Sequence, residues 1–123
     1  MATEPAPGYR DTARGRTQID IADLAGPRLA DNEAEHRYEL WLGDDRVGTI
    51  AYSILPGAIV LVHTVVESAF AGKGFGSRLV HDALADIRSR DRKVVPQCAF
   101  VRSYLRRHPD EADVLSVRSP RRR

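Results

Sequence analysis

Three glycines fall within five residues, Gly72-Lys73-Gly74-Phe75-Gly76, followed by Ser77, where an apolar run ends and an amphipathic pattern begins. A strand that turns through glycines into a helix leaves successive backbone N–H groups without intrahelical partners, at the positive end of the helix macrodipole. Such a loop can hold a phosphate or pyrophosphate on main chain alone, and glycine lets the backbone approach closely. Spacing excludes two phosphate loops. The dinucleotide fingerprint needs a glycine where Ser77 stands, and the P-loop needs Ser or Thr after Lys73, where Gly74 stands. A glycine-rich connection with no ligand is the bland alternative.

Four side chains could add covalent or proton chemistry. His63 is a residue type that can exchange a proton near neutral pH, and Glu67, an even number of residues further on, shares its face if the strand between them is regular. A histidine in an apolar strand is also often a satisfied core residue, and Glu67 a solvated one. Cys98 is the only cysteine; a thiol at a helix N-terminus has a lowered pKa and can act as a nucleophile, yet free cysteine is commonly a small buried hydrophobe. Tyr104, two helical turns on, carries a hydroxyl that could donate a proton, or is a half-buried core aromatic.

The elements that must position these groups are legible in the hydrophobic pattern. Strands are predicted at Arg37–Leu42, Val47–Leu55 and Ala58–Val66, separated by turns at Gly43-Asp44-Asp45 and Pro56-Gly57, which makes an antiparallel meander. Ala58–Val66 is apolar on both faces and reads as a central strand covered on each side. In the helix after the loop, Phe75, Leu79, Val80, Ala83, Leu84 and Ile87 share one face, with Arg78, Asp82, Asp86 and Arg90 opposite. Lys93–Pro96 reads as a strand returning parallel to the central one by a right-handed crossover. Ala99–Arg107 is then a second helix, stopped by Pro109. The fold class is α/β with a mixed central sheet, an antiparallel meander followed by helix, strand and helix.

At 123 residues the chain has the length of one domain, and 42% hydrophobic with 29% charged residues is an ordinary soluble composition. The organisation expected is a flexible segment over 1–28, a domain over 29–115 and a basic tail over 116–123. Within the first segment, Ile19–Ala25 could form a short strand or a turn of helix. No apolar window has the ~18–20 residues of a membrane span, and the N-terminus lacks signal-peptide features, so the cytoplasm is the expected compartment. One cysteine and four histidines without ligand spacing argue against a metal site. Arg121-Arg122-Arg123 could touch nucleic acid, but the tail has no aromatic residues to stack bases, and arginine is the habitual cation throughout: Lys73 and Lys93 are the lysines among 19 basic residues.

The loop resembles the coenzyme A loop of the GNAT superfamily of N-acetyltransferases, Gln/Arg-x-x-Gly-x-Gly/Ala at the start of the central helix. Gly74 and Gly76 match it, and Ala71 departs from it. Asn32 ahead of Arg37-Tyr38-Glu39-Leu40, His63-Thr64, Pro96-x-Cys98-x-Phe100, and Tyr104 with His108-Pro109 extend the likeness over most of residues 30–115, to the small YjdJ-like group. The resemblance implies a minimal GNAT core trimmed of its N-terminal helices, with acetyl-CoA as cosubstrate, an amine acceptor and no metal. It also implies that the backbone from Gly72, Lys73, Gly74, Phe75 and Gly76 to Ser77 holds the pyrophosphate, that the strand end at Val65 and Val66 bonds the pantetheine arm, and that Tyr104 protonates the departing thiolate from the opening between the two parallel strands. His63 or Glu67 would be the base. Val65 stands where the narrower group commonly has Glu, which removes one base candidate. Cys98 would either carry the acetyl group or only line the site, and direct transfer is the commoner superfamily route. A non-catalytic acyl-CoA-binding module is the alternative function. The acceptor and the oligomeric state are not legible.

Overall fold

The computed structural model describes residues 26–116. The expectations for Ile19–Ala25, for the start of the flexible segment and for Arg121–Arg123 lie outside the described residues. One five-stranded sheet runs β1 (Arg28–Asn32), β2 (Arg37–Leu42), β3 (Asp45–Leu55), β4 (Ala58–Val66), β5 (Lys93–Pro96), in that spatial order. The first four strands are antiparallel, and β5 is parallel to β4. Helix α1 (Phe75–Ser89) makes the crossover between β4 and β5, and α2 (Ala99–Arg107) follows β5.

Both predicted turns form. Leu42 pairs with Asp45 around Gly43-Asp44, and Leu55 with Ala58 around Pro56-Gly57, with Gly43 at φ +62° and Gly57 at φ +72°. Those left-handed conformations come cheaply only to glycine. Strand β1 is an element the hydrophobic pattern did not announce. Its five residues join the sheet because a one-turn 3₁₀ helix, Glu33–Glu35, folds them back on β2; the Asn32 side chain accepts the Glu35 N–H at 3.1 Å, and His36 takes φ +53° to finish the reversal.

The face of α1 predicted to be apolar is the buried one: Leu79, Val80, Ala83, Leu84 and Ile87 pack on Tyr38, Leu40, Ile50 and Leu61 of the sheet. Each such aliphatic side chain contributes about 1.5–3 kcal/mol of burial. The end of α1 is tied down by polar contacts. Tyr38 donates to Asp86 (2.8 Å), Tyr52 donates to Asp31 (2.6 Å), and Arg90 bridges Asp31 and Asp86. Helix α2 adds Val101, Tyr104 and Leu105 to the same core, and a 3₁₀ turn at Pro109–Val114 buries Val114 before Ser116 N–H reaches Val94 O at 2.9 Å.

Strand β4 differs from its predicted two-sided burial. Ala58 to Leu61 are all buried, but from His63 onward burial alternates, with His63 and Val65 exposed. The change coincides with a register shift at Val62 against β3 and with the end of the β5 ladder at Leu61.

Candidate functional site

The last ladder pair of the parallel strands is Leu61 with Pro96. Beyond it the N–H groups of Gln97 and Cys98 both donate to Leu61 O, at 3.1 and 2.9 Å, and the chain turns into α2. Strand β4 runs on to Val66, so its edge there faces a gap. On the other side Glu67 N–H donates to Val47 O at 2.9 Å. Antiparallel alternation then points the main-chain groups of His63 and Val65 at β3, and those of Thr64 and Val66 into the gap. Of the two valines expected to offer backbone to a ligand, Val66 faces the opening, and Val65 offers an exposed side chain on the sheet's other face.

Cys98 caps the N-terminus of α2 at the mouth of this gap, 8% exposed, with its Sγ 3.3 Å from the Thr64 hydroxyl. Burial pushes the thiol pKa up. The Thr64 hydroxyl and the nearby N–H groups of Val101, Phe100 and Thr64 outweigh it, and the net shift is downward. A thiolate there would lie in a nest of donors at the positive end of a helix.

The glycine loop forms the floor of the adjoining cleft. Gly72 (φ +76°) and Gly74 (φ +85°) take left-handed conformations, and Gly74 is the N-cap of α1. The first-turn N–H groups of Phe75, Gly76 and Ser77 therefore point outward with no intrahelical acceptor. Gly76 serves close approach, since a Cβ there would sit 2.8 Å from the Phe100 ring. The cleft, about 270 Å³, is lined by Val66, Phe70, Gly72, Gly74, Gly76 and Phe100 among others. This donor set is one that could hold a pyrophosphate. Lys73 is exposed in the loop, where its charge can meet a phosphate. A cavity of about 300 Å³ at the other end of the sheet is slightly larger, but Tyr52 and Arg90 are engaged with Asp31, and Tyr38 with Asp86.

His63 and Glu67 share a face, because the register is unbroken from His63↔Ala51 to the Glu67–Val47 bond. That face is the one away from both helices, whereas Thr64, opposite the core residue Ile50, and Cys98 lie on the helix side. Tyr104 departs from expectation. Its hydroxyl donates to Glu111 Oε2 at 2.7 Å, beside His81 Nδ1 at 3.3 Å, and does not open into the gap; the ring is 3% exposed and stacked on His108. The reason is the turn at Pro109–Val114, which brings a carboxylate over α2. Burial and the bond to Glu111 raise the Tyr104 pKa.

Thr64 and Phe100 are functional candidates that the choice of site residues passed over, although both stood in the motifs. A third feature is the buried Glu39, which accepts from Asn32 Nδ2 (2.9 Å), Arg37 Nε (2.8 Å) and Trp41 Nε1 (3.1 Å). Burial alone would raise its pKa, but the three donors lower it. Among the described residues no group of three His, Cys, Asp or Glu could hold a metal, and no helix is long and apolar enough to cross a membrane.

The fold has counterparts among solved structures. A GCN5-like protein from Staphylococcus aureus, described as an N-acetyltransferase and solved by NMR, superposes with a TM-score of 0.57 at 19% identity, covering 76% of this chain and 92% of its own. Ard1 from Thermoplasma volcanium overlaps 50% of this chain and 43% of its own, with a TM-score of 0.43 and 22% identity. No curated protein sequence matches. The GCN5-related N-acetyltransferase family matches residues 37–114, from the start of β2 to the buried Val114, and the chain belongs to that family.

Proposed function

We propose that the chain is an acetyl-CoA-dependent N-acetyltransferase that moves an acetyl group to a primary amine, and that it stands with the small YjdJ-like members of the family. The observation that carries this reading is the alignment of three features on one edge: the N–H cradle from Gly72 to Ser77, the Val66 main chain with the Thr64 carbonyl, and Cys98 at the end of that edge. The cradle takes the pyrophosphate, and Val66 with Thr64 takes the pantetheine amides. The Cys98 thiolate attacks the thioester carbonyl, giving an S-acetyl cysteine and a coenzyme A thiolate, which picks up a proton. The amine, relieved of its proton by His63 or Glu67 on the other face, then attacks the S-acetyl carbon and frees the Cys98 thiolate. N–H groups at the start of α2 stabilise the oxyanion of each tetrahedral state. A free thiol and an acetyl-CoA substrate suit the cytoplasm, and the working unit is the domain over 29–115.

The test mixes the protein with acetyl-CoA and a panel of amines, reading thiol release and intact mass. Turnover with one acetyl adduct, lost together with activity in Cys98→Ala, is the expected result. Full turnover of Cys98→Ala would mean direct transfer from the thioester. Tight acetyl-CoA binding with no thiol release for any amine would make the protein an acyl-CoA-binding module.

A further inference from the structure

The gap between β4 and β5 opens on both faces of the sheet, and the helix side is taken up by the glycine loop, Phe100 and Cys98. An acceptor must reach the acetyl carbon from the opposite face. Cross-strand register lays out that face in two rows: Val65, Thr49 and Glu39, then His63, Ala51 and Arg37. Near the gap it offers exposed Val65 with His63 and Glu67. At the start of β3 and on β2 it turns cationic.

There the Glu39 carboxylate is already served by Asn32, Arg37 and Trp41. Arg46 stands outside that set, with its terminal nitrogen 3.8 Å from Glu39, and its Nε is a buried donor with no partner. The Arg28 guanidinium lies over the Trp41 ring at 5.8 Å. Two guanidiniums, of Arg37 and Arg46, thus flank one buried carboxylate, and their side chains remain 31% and 33% exposed. The buried Nε is out of a ligand's reach, but the exposed part of the Arg46 guanidinium, held only loosely by Glu39 at 3.8 Å, can meet a ligand's oxygen. Arginine is also the side chain best matched to a carboxylate.

Resting on the transferase reading, we propose that the acceptor is a lysine in an acidic peptide, its amine at the gap and a neighbouring carboxylate on Arg46 and Arg37. Arg37 on β2 lies two inter-strand spacings from β4, roughly 10 Å, and Arg46 on β3 lies one spacing away. The lysine stem crosses Val65 and Thr49, and the ammonium arrives beside Glu67 and His63, so the face is complementary to a substrate with opposite charges at its two ends.

The experiment compares peptides of equal length with one lysine flanked by Glu, by Gly or by Arg, together with spermidine, at saturating acetyl-CoA. The Glu-flanked peptide should show a kcat/KM at least about 10-fold above the Gly-flanked one, with the Arg-flanked peptide lowest and the advantage shrinking in high salt. Arg46→Ala should remove the preference and Arg46→Lys keep part of it; Arg46→Gln, which retains the stem, covers a failure of Arg46→Ala to fold. Equal rates, or spermidine as best substrate, would overturn the proposal. Anisotropy of the labelled Glu-flanked peptide on the coenzyme A-loaded protein separates the two readings. Arg46-dependent binding without any acetylation would support the anion site and remove the transferase reading, whereas neither binding nor acetylation would overturn the acceptor assignment.

Discussion

Cys98 and Tyr104 show how one residue's surroundings decide its chemistry. The thiol has a hydroxyl and three N–H groups around it, all favouring the charged form, and these outweigh burial. Its alkylation rate by iodoacetamide, followed against pH, should turn over below the ordinary thiol pKa of about 8.5. Thr64→Val removes one donor and should move that midpoint back up; an unchanged midpoint would show that Thr64 does not hold the sulfur. Tyr104 has the opposite setting. Its proton points at Glu111, whose other oxygen, Oε1, is buried without a partner. Tyr104→Phe should therefore cost about 1 kcal/mol of stability by removing one of two partners from the partly buried Glu111 carboxylate. A general acid would instead be worth about 10² to 10⁴ in kcat. Thermal melts and single-substrate kinetics on the same variant distinguish the two, and the expectation is a lower melting temperature with less than about a tenfold fall in kcat.

The loop and the paired strand ends work as one unit, because α1 begins where β4 loses its neighbour. Gly74 and Gly76 serve it differently. At Gly74 nothing lies within 4 Å of a prospective Cβ, but φ is +85°, so any side chain strains the cap. At Gly76 the backbone is ordinary and the obstacle is the Phe100 ring at 2.8 Å. Gly76→Val should weaken acetyl-CoA binding at least about tenfold, or about 1.4 kcal/mol, and Phe100→Ala in the same chain should recover part of the loss. Gly74→Val should gain nothing from Phe100→Ala. Calorimetric titration of the four variants checks this, and equal rescue at both positions would refute the separate roles.

For the molecule as a whole, the cleft draws on β4, the loop, α1 and α2, which share one core. A ligand that binds only the folded state stabilises it by RT ln(1 + [L]/Kd), about 2.7 kcal/mol at a hundred times Kd. Acetyl-CoA should therefore raise the melting temperature in a concentration-dependent way, and Gly74→Val should abolish the rise. The larger cavity beside Arg90 makes a control, since Arg90→Ala should lower the melting temperature by breaking the bridges to Asp31 and Asp86 while leaving the acetyl-CoA-induced rise intact. A rise that fell with Arg90→Ala and survived Gly74→Val would place the ligand at the wrong end of the sheet.

Local pattern alone determined the meander, its two glycine turns, the buried face of α1, the parallel return of β5 and the glycine-led start of α1. Each follows from spacing of apolar residues or from a backbone conformation that few side chains tolerate. Asn32, Arg37 and Glu39 stood in a motif, but only folding brought them together, because β1 is too short and too polar to announce itself and depends on its partner strand. Tertiary structure also decided which way Tyr104 points and which valine offers its main chain. The first depends on a carboxylate seven residues away along the chain, delivered by a turn. The second depends on where β5 stops pairing with β4, a property of two strands separated in sequence by the whole of α1.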